Sequence, residues 1–147
     1  MIALVQRASQ ATVLSEGTPC GSLTAEGGLC ILLGIERSDT TELATRCAEK
    51  LAKLRIFDDA GGKMNLSVLE VGGSALVVSQ FTLVADTSTG NRPSFIGAAP
   101  PEMAEPIVEQ VVARLRVLGV PTESGRFRTA MQVSLVNEGP TTIILKL

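Results

Sequence analysis

The stretch Leu29-Cys30-Ile31-Leu32-Leu33-Gly34-Ile35 is apolar at every position. A strand covered on both faces reads as such a continuous run, whereas a strand with one face in water alternates apolar and polar residues. The turn signal Glu26-Gly27-Gly28 directly precedes it. The stretch therefore predicts a central strand of a sheet that is covered on both sides.

Two amphipathic segments predict the helices that accompany this sheet. The first starts at the capping pattern Asp39-Thr40-Thr41-Glu42, carries its apolar side chains at helical spacing and is expected to end near Arg55. The second is expected over residues 102–118, with Pro106 near its first turn, where a missing N–H is tolerated. Gly119 follows as the expected C′ residue.

The β-prone segments outnumber these helices and do not alternate with them regularly, which favours an α+β fold over a doubly wound one. Besides the central strand over residues 29–35, the segments are residues 2–8, 11–15, 74–85, 131–136 and 141–147. We predict a mixed α+β fold with mostly antiparallel, barrel-like sheets and two main helices. The length of 147 residues is typical of one domain, so a single domain over residues 1–147 is expected.

The residue types that are missing limit the chemistry. The chain has no His, no Trp and no Tyr, so a Ser-His-Asp or Cys-His catalytic unit is excluded. Cys20, Cys30 and Cys47 stand too far apart for a CxxC motif, and their odd number favours a reducing compartment. We therefore predict neither a metal site nor a cofactor.

Charge and hydropathy exclude two further classes of partner. A net charge of −2 does not suit a protein that binds nucleic acid by bulk electrostatics. No apolar run approaches the ~18 residues of a membrane span. The opening Met1-Ile2-Ala3-Leu4-Val5 reads as a strand with no basic segment or cleavage site before it, so a cytoplasmic protein without a secretory signal is expected.

Two short motifs go beyond fold class. Ser79-Gln80-Phe81-Thr82-Leu83 places hydrogen-bonding side chains at the end of an apolar strand, and Asn137-Glu138-Gly139-Pro140-Thr141-Thr142 connects two predicted strands. Taken singly, the first is compatible with a strand leaving the core and the second with an ordinary hairpin turn.

Together, in this order and spacing, the motifs resemble the D-aminoacyl-tRNA deacylase family, whose signatures are a Ser-Gln-Phe-Thr-Leu strand and an Asn-x-Gly-Pro-x-Thr loop. Neither motif departs from the family pattern, and the resemblance extends over essentially the whole chain. It implies a cytoplasmic homodimer that hydrolyses the ester between a D-amino acid and the 3′ end of tRNA. Glycine mischarged on tRNA is an implied second substrate. The implied partner is the aminoacylated tRNA 3′ end, with no membrane and no DNA.

The resemblance assigns catalysis to Ser79, Gln80 and Phe81, with the N–H near Phe81 directed at the substrate and the ribose hydroxyl of the tRNA assisting. An aminoacyl ester is already activated, so orientation and oxyanion stabilisation by backbone N–H groups can suffice. A chain without histidine is compatible with that chemistry. Thr82 is the rival catalytic residue, but a Thr nucleophile needs a base, and Asp86 is a poor base unless its pKa is raised.

The remaining site residues also follow from the resemblance. Gly139 and Pro140, in the motif that begins at Asn137, are similar to a cis Gly-Pro pair that enters the partner subunit's pocket and leaves no room for an L side chain. Arg7 matches a residue that braces this loop. The pocket for the terminal adenine is expected to contain Phe127 and Met131, with Phe95, Ser94 and Pro93 at its mouth. A local basic rim is expected from Arg92, Arg126, Arg128 and Lys63.

Two other functions stay open at this point. A non-catalytic module on the same fold would recognise an aminoacyl end or adenosine without hydrolysing it. A relative with shifted specificity would chiefly clear glycine from tRNA.

Overall fold

The structure is a computed structural model that describes residues 1–147. Its strands are β1 (Ile2–Ser15), β2 (Thr18–Ser22), β3 (Gly28–Gly34), β4 (Phe57–Asp58), β5 (Met64–Leu66), β6 (Ser74–Ser79), β7 (Thr122–Ser124) and β8 (Met131–Lys146). Its helices are α1 (Thr41–Ala52) and α2 (Pro101–Val117), with a 3₁₀ turn at Phe81–Val84. None of the helices combines the length and the apolar character needed to cross a bilayer.

Strand β1 organises the main sheet. One of its edges pairs antiparallel with β8 over almost its whole length, and the other pairs antiparallel with β3 and then with β2. Parallel pairing continues from β3 to β6 and from β6 to β7. The Ser22 N–H of β2 donates to the Glu123 carboxylate of β7 at 2.6 Å, so the sheet nearly closes on itself. The predicted mixed α+β, barrel-like fold with two helices is confirmed.

Strand β3 is covered on both faces, as the apolar run predicts. Leu29, Ile31 and Leu33 point into the larger core, which both helices complete with side chains such as Leu51 and Leu115. The opposite face belongs to a smaller apolar cluster inside the curved sheet, which consists of Ala8, Ala11, Val13, Cys30, Leu76 and Val78. The central strand therefore lies between two hydrophobic layers.

The helix predictions are confirmed with shifted ends. Thr40 is the N-cap of α1, and its side chain accepts a hydrogen bond from the Leu43 N–H. The helix ends at Ala52 rather than near Arg55. Pro106 lies inside α2 just after its first turn, on an exposed face where water can hydrogen-bond the carbonyl that lacks a partner. Gly119 has φ +91° and follows the C-cap, as expected.

The structure corrects three strand predictions, since it merges two pairs of predicted strands and shortens another one. Residues 2–8 and 11–15 form one strand, because β8 continues alongside both of them. The strand predicted over residues 74–85 stops at Ser79, where its pairing with β3 ends. Residues 131–136 and 141–147 belong to one strand, since both flanks of the second motif pair antiparallel with the same edge of β1. Pairing partners set these boundaries, and local sequence does not encode them.

The second motif is consequently neither a hairpin turn nor a link between separate strands. Ala8 pairs with Asn137 and Gln6 with Thr142, so residues 138–141 bulge from β8 opposite Arg7 alone. A bulge of this kind projects its residues away from the ladder without reversing the chain. Gly139 and Pro140 thus lie on a short protrusion from an edge strand.

Candidate active site

The first motif changes conformation in its middle. The Gln80 N–H donates to the Leu33 carbonyl at 2.8 Å, which extends the strand contact by one residue. The Leu83 N–H then donates to the Gln80 carbonyl at 3.2 Å and starts the 3₁₀ turn. The N–H groups of Phe81 and Thr82 precede that first bond, so they have no acceptor within the turn. The end of β6 therefore presents backbone donors at the point where the chain leaves the core.

A cavity of about 550 Å³ opens at this point. It brings together six predicted site residues from four separate segments: Ser79, Gln80, Phe81, Phe95, Phe127 and Met131. The rings of Phe81 and Phe95 meet edge to face with centroids 5.0 Å apart. Phe81 is 57% exposed, so a large apolar surface remains open beside the backbone donors. The cavity combines apolar walls with a polar strand end, as ligand sites commonly do.

The sequence analysis did not predict that α2 and the residues just before it form one wall of the cavity. Ala98, Ala99, Pro101, Ala104 and Val108 line the cavity beside the first motif. Their small side chains leave the space that the cavity occupies. The only signal in the sequence is the cluster of Ala and Pro before the helix, which by itself indicates no more than a loop and a helix start.

Thr82 does not line the cavity. Its hydroxyl accepts a hydrogen bond from the side-chain amide of Gln80. The Asp86 carboxylate accepts from the Ser88 N–H at 2.9 Å, and this hydrogen bond lowers the pKa of Asp86 below its usual value. Neither group can take a proton from the Thr82 hydroxyl with useful driving force, because an amide is not a base and a carboxylate of lowered pKa is a weaker one.

Gly139 and Pro140 are absent from the lining of the chain's own cavity. The peptide bond between them is cis, and Gly139 has φ +108°. A Cβ at Gly139 would lie 2.7 Å from Thr141 Oγ1 and 3.2 Å from the Arg7 guanidinium. Both the backbone conformation and the neighbouring atoms therefore require glycine at this position.

Arg7 lies behind this protrusion. Its Nη1 donates to the Ile56 carbonyl at 2.9 Å and to the Asp58 carboxylate at 3.2 Å, and its side chain is only 12% exposed. Asn137 Nδ2 donates to Thr142 Oγ1 at 3.0 Å, across the base of the bulge. These contacts fix the Arg7 guanidinium and the two ends of the protrusion, and the bracing role of Arg7 stays a prediction.

Of the four residues expected in the basic rim, Arg128 lines the cavity, whereas Arg92, Arg126 and Lys63 do not. Pro93 and Ser94 are also absent from the lining, although the neighbouring Phe95 belongs to it. Fewer residues therefore line the mouth of the cavity than the sequence analysis predicts.

The chain is similar to known proteins over almost its whole length. The family model described as D-Tyr-tRNA(Tyr) deacylase matches residues 4–146. A protein of Anaeromyxobacter dehalogenans (strain 2CP-C) named D-aminoacyl-tRNA deacylase is 54% identical over 145 residues, covering 99% of this chain and 96% of its own. One of the same name from Shewanella amazonensis (strain ATCC BAA-1098 / SB2B) is 50% identical over 146 residues, covering 99% of both chains.

Two solved structures are similar over nearly their whole length. One, described as c-Myc DNA Unwinding Element Binding Protein, has a TM-score of 0.92 at 37% identity, covering 100% of this chain and 99% of its own. The other, described as a probable eukaryotic D-amino acid tRNA deacylase, has a TM-score of 0.78 at 18% identity and covers 98% of this chain and 97% of its own. The second likeness shows the shared fold.

The full-length matches to the family model and to these relatives identify an enzyme, a deacylase by class. The chain belongs to the D-Tyr-tRNA(Tyr) deacylase family.

Proposed function

We propose that this protein hydrolyses the ester bond between a D-amino acid and the 3′ end of tRNA and releases the free D-amino acid and the tRNA. It does so in the cytoplasm as one domain over residues 1–147, and it also removes glycine mischarged on tRNA. The observation that carries the proposal is the cavity in which the end of β6 meets Phe95, Phe127 and Met131.

The chemistry assigned to this cavity uses backbone rather than side-chain groups. The N–H groups at Phe81 and Thr82 lie where the strand ends and have no acceptor within the 3₁₀ turn. Directed at the ester carbonyl, such donors stabilise the oxyanion that forms when water attacks. Ser79 and Gln80 hold the strand end and contact the substrate, and the ribose 2′-hydroxyl assists the attack. This mechanism needs no imidazole and no metal ion.

The apolar part of the cavity suits the terminal adenosine. Phe127 and Phe95 offer ring faces or edges on which a purine can stack, and Met131 adapts its flexible side chain to the base. Because these contacts involve only the terminal nucleoside, the net charge of −2 does not prevent the protein from binding RNA.

Discrimination against L-amino acids is assigned to Gly139 and Pro140. These residues do not line the chain's own cavity. They therefore act on substrate only if a second copy of the chain places its own Gly139 and Pro140 in the cavity. The edge of β8 opposite β1 has no strand paired to it, and the Gly-Pro protrusion lies on this strand. We therefore propose a homodimer in which each protrusion enters the partner's cavity, with Arg7 as its brace.

Binding to a DNA unwinding element is the second candidate function, because a structural neighbour described by that activity is 37% identical with a TM-score of 0.92. The net charge of −2 argues against it, since DNA binding depends largely on neutralising phosphates with basic side chains. Titration with duplex and single-stranded DNA at physiological salt tests this candidate beside the hydrolysis assay.

The main test compares deacylation of D-tyrosyl-tRNA, L-tyrosyl-tRNA and glycyl-tRNA by the purified protein. We expect rapid release of D-tyrosine and of glycine and no acceleration on the L form. Equal rates on D- and L-tyrosyl-tRNA would contradict chiral selection. A protein that binds tRNA without hydrolysing any of the three would be a binding module instead.

A matched pair of variants connects the activity on the D form to the protrusion. Gly139→Ala should lose most activity on the D form, because the added Cβ displaces Thr141 or Arg7. Gly119→Ala introduces a similar backbone penalty at φ +91° but has no neighbour closer than 3.8 Å, so it should retain activity. Equal losses in both variants would mean that general destabilisation, and not the protrusion, explains the result.

A further inference from the structure

We propose that Arg128 binds the 5′-phosphate of the terminal adenosine, so that the cavity recognises a phosphorylated nucleoside end rather than a bare nucleoside. This inference rests on the proposed function, and it adds a phosphate subsite at the mouth of the cavity.

The backbone of Arg128 is the first observation. Its φ is +60°, and Glu16 is the only other non-glycine residue with positive φ. L-residues avoid this region because their Cβ crowds the backbone, and glycine adopts it freely. Residues kept in such conformations concentrate at functional sites and ligand clamps. The conformation of Arg128 therefore points to a binding role for its side chain.

The charge of Arg128 has no partner within the chain. Arg128 takes part in none of the chain's ion pairs. These join Met1 to Glu36 and Asp39, Arg7 to Asp58, and Arg114 to Glu49. No side-chain hydrogen bond of Arg128 is formed either, whereas Arg37, Arg55 and Arg116 each donate to a backbone carbonyl. The guanidinium is always protonated and matches two phosphate oxygens in a planar fork.

The position of Arg128 in the cavity indicates which chemical group it binds. Phe127, Arg128 and Thr129 all line the cavity, and Arg128 is exposed at its mouth. In a nucleotide the 5′-phosphate lies one ribose away from the base. A cation one residue from the aromatic ring proposed to stack on that base can therefore reach the phosphate.

The segment is also held in place. Thr129 Oγ1 lies 2.7 Å from Ser15 Oγ and donates to the Arg126 carbonyl at 3.0 Å. These bonds join the turn to the end of β1 and fix the backbone on both sides of Arg128. A side chain on a rigid turn loses less conformational entropy when it binds, which favours a dedicated contact.

The test uses two minimal substrates, 3′-O-D-tyrosyl-adenosine with and without a 5′-phosphate. The wild-type protein should prefer the phosphorylated ester by about tenfold in kcat/KM, as expected for one charge-assisted contact. Arg128→Gly should abolish the preference, because kcat/KM should fall about tenfold more on the phosphorylated ester than on the unphosphorylated one. Arg128→Lys should retain part of the preference because it keeps the charge but not the fork. On D-tyrosyl-tRNA, Arg128→Gly should also reduce the slope of log kcat/KM against log salt by about 0.7, the value for one phosphate of a single strand.

Glu16→Gly is the matched control, since it relieves the other positive φ on a turn that does not line the cavity. Neither glycine variant should lower Tm by more than about 2 °C, because relief of strain offsets the added freedom of the unfolded chain. Glu16→Gly should keep the phosphate preference.

An unchanged preference in Arg128→Gly would overturn the inference, and so would an equal loss on both esters or a change in oligomeric state that accounts for the loss. Wild-type protein that cleaves both esters equally well would overturn this inference alone. Wild-type protein that cleaves neither ester nor D-tyrosyl-tRNA would overturn the proposed function as well.

Discussion

At the scale of single residues, Thr82 separates the two possible mechanisms. Its exposed hydroxyl accepts a hydrogen bond from Gln80, and it has no base to activate it. We expect Thr82→Ala to lower kcat by about tenfold or less, the cost of one hydrogen bond of roughly 1 kcal/mol. Removing a true nucleophile costs ~10⁴-fold or more. Single-turnover hydrolysis of D-tyrosyl-tRNA measures the difference.

The companion substrate is tRNA ending in 2′-deoxyadenosine, which lacks the assisting hydroxyl and should react far more slowly. Urea unfolding of Thr82→Ala provides the control, since loss of packing can imitate a catalytic defect. A folded, tRNA-binding Thr82→Ala protein without activity, together with a normal rate on the deoxy substrate, would assign the nucleophile to Thr82.

At the scale of secondary-structure elements, the parallel pairing of β3 with β6 positions the end of β6 at the cavity. Gly28 has φ +150°, and a Cβ there would lie 1.9 Å from the Ser74 carbonyl oxygen, which is backbone and cannot rotate away. We expect Gly28→Ala to destabilise the fold by about 3 kcal/mol or more, or to prevent folding, since the two strands must separate. Denaturation in urea measures the loss.

Gly72→Ala provides the comparison for that substitution. Gly72 has φ +67° and nothing within 4 Å of its added Cβ, so only the backbone penalty of about 1–2 kcal/mol applies. If the two variants lose equal stability, the close approach at Ser74 is not what constrains Gly28.

At the scale of the whole molecule, the separation of the cavity from the Gly-Pro protrusion predicts complementation between subunits. A variant damaged in the cavity, Phe127→Ala, and one damaged in the protrusion, Gly139→Ala, should each be nearly inactive. Mixed dimers formed by co-expression should regain part of the activity, because one site combines an intact cavity with an intact protrusion. Deacylation by the purified mixed dimer, with sedimentation to establish its size, measures this.

Absence of rescue in a mixed dimer of demonstrated composition would place both motifs in the same subunit's site. A fully active monomer at micromolar concentration would refute the homodimer itself.

Patterns among neighbouring residues predicted the central strand, the helices and the family of this protein. The apolar run Leu29–Ile35 identified the central strand, because burial on both faces leaves no polar position in between. The capping pattern Asp39–Glu42 and the spacing of apolar residues located the helices, although the N-cap of α1 is Thr40, one residue after the acceptor that the pattern indicates. The two motifs indicated the family, and the resemblance they support named Phe81, Phe127 and Met131, which the cavity brings together.

What the sequence by itself determined is therefore the class of the fold, the family and the residue types of the site. Only the tertiary structure decided that β6 ends at Ser79, that β8 runs through its bulge unbroken, and that the start of α2 walls the cavity. It also placed Gly139 and Pro140 outside that cavity. The physical reason is that strand ends and cavity walls depend on partners far away in the chain, whereas caps, turns and periodicity depend on neighbouring residues.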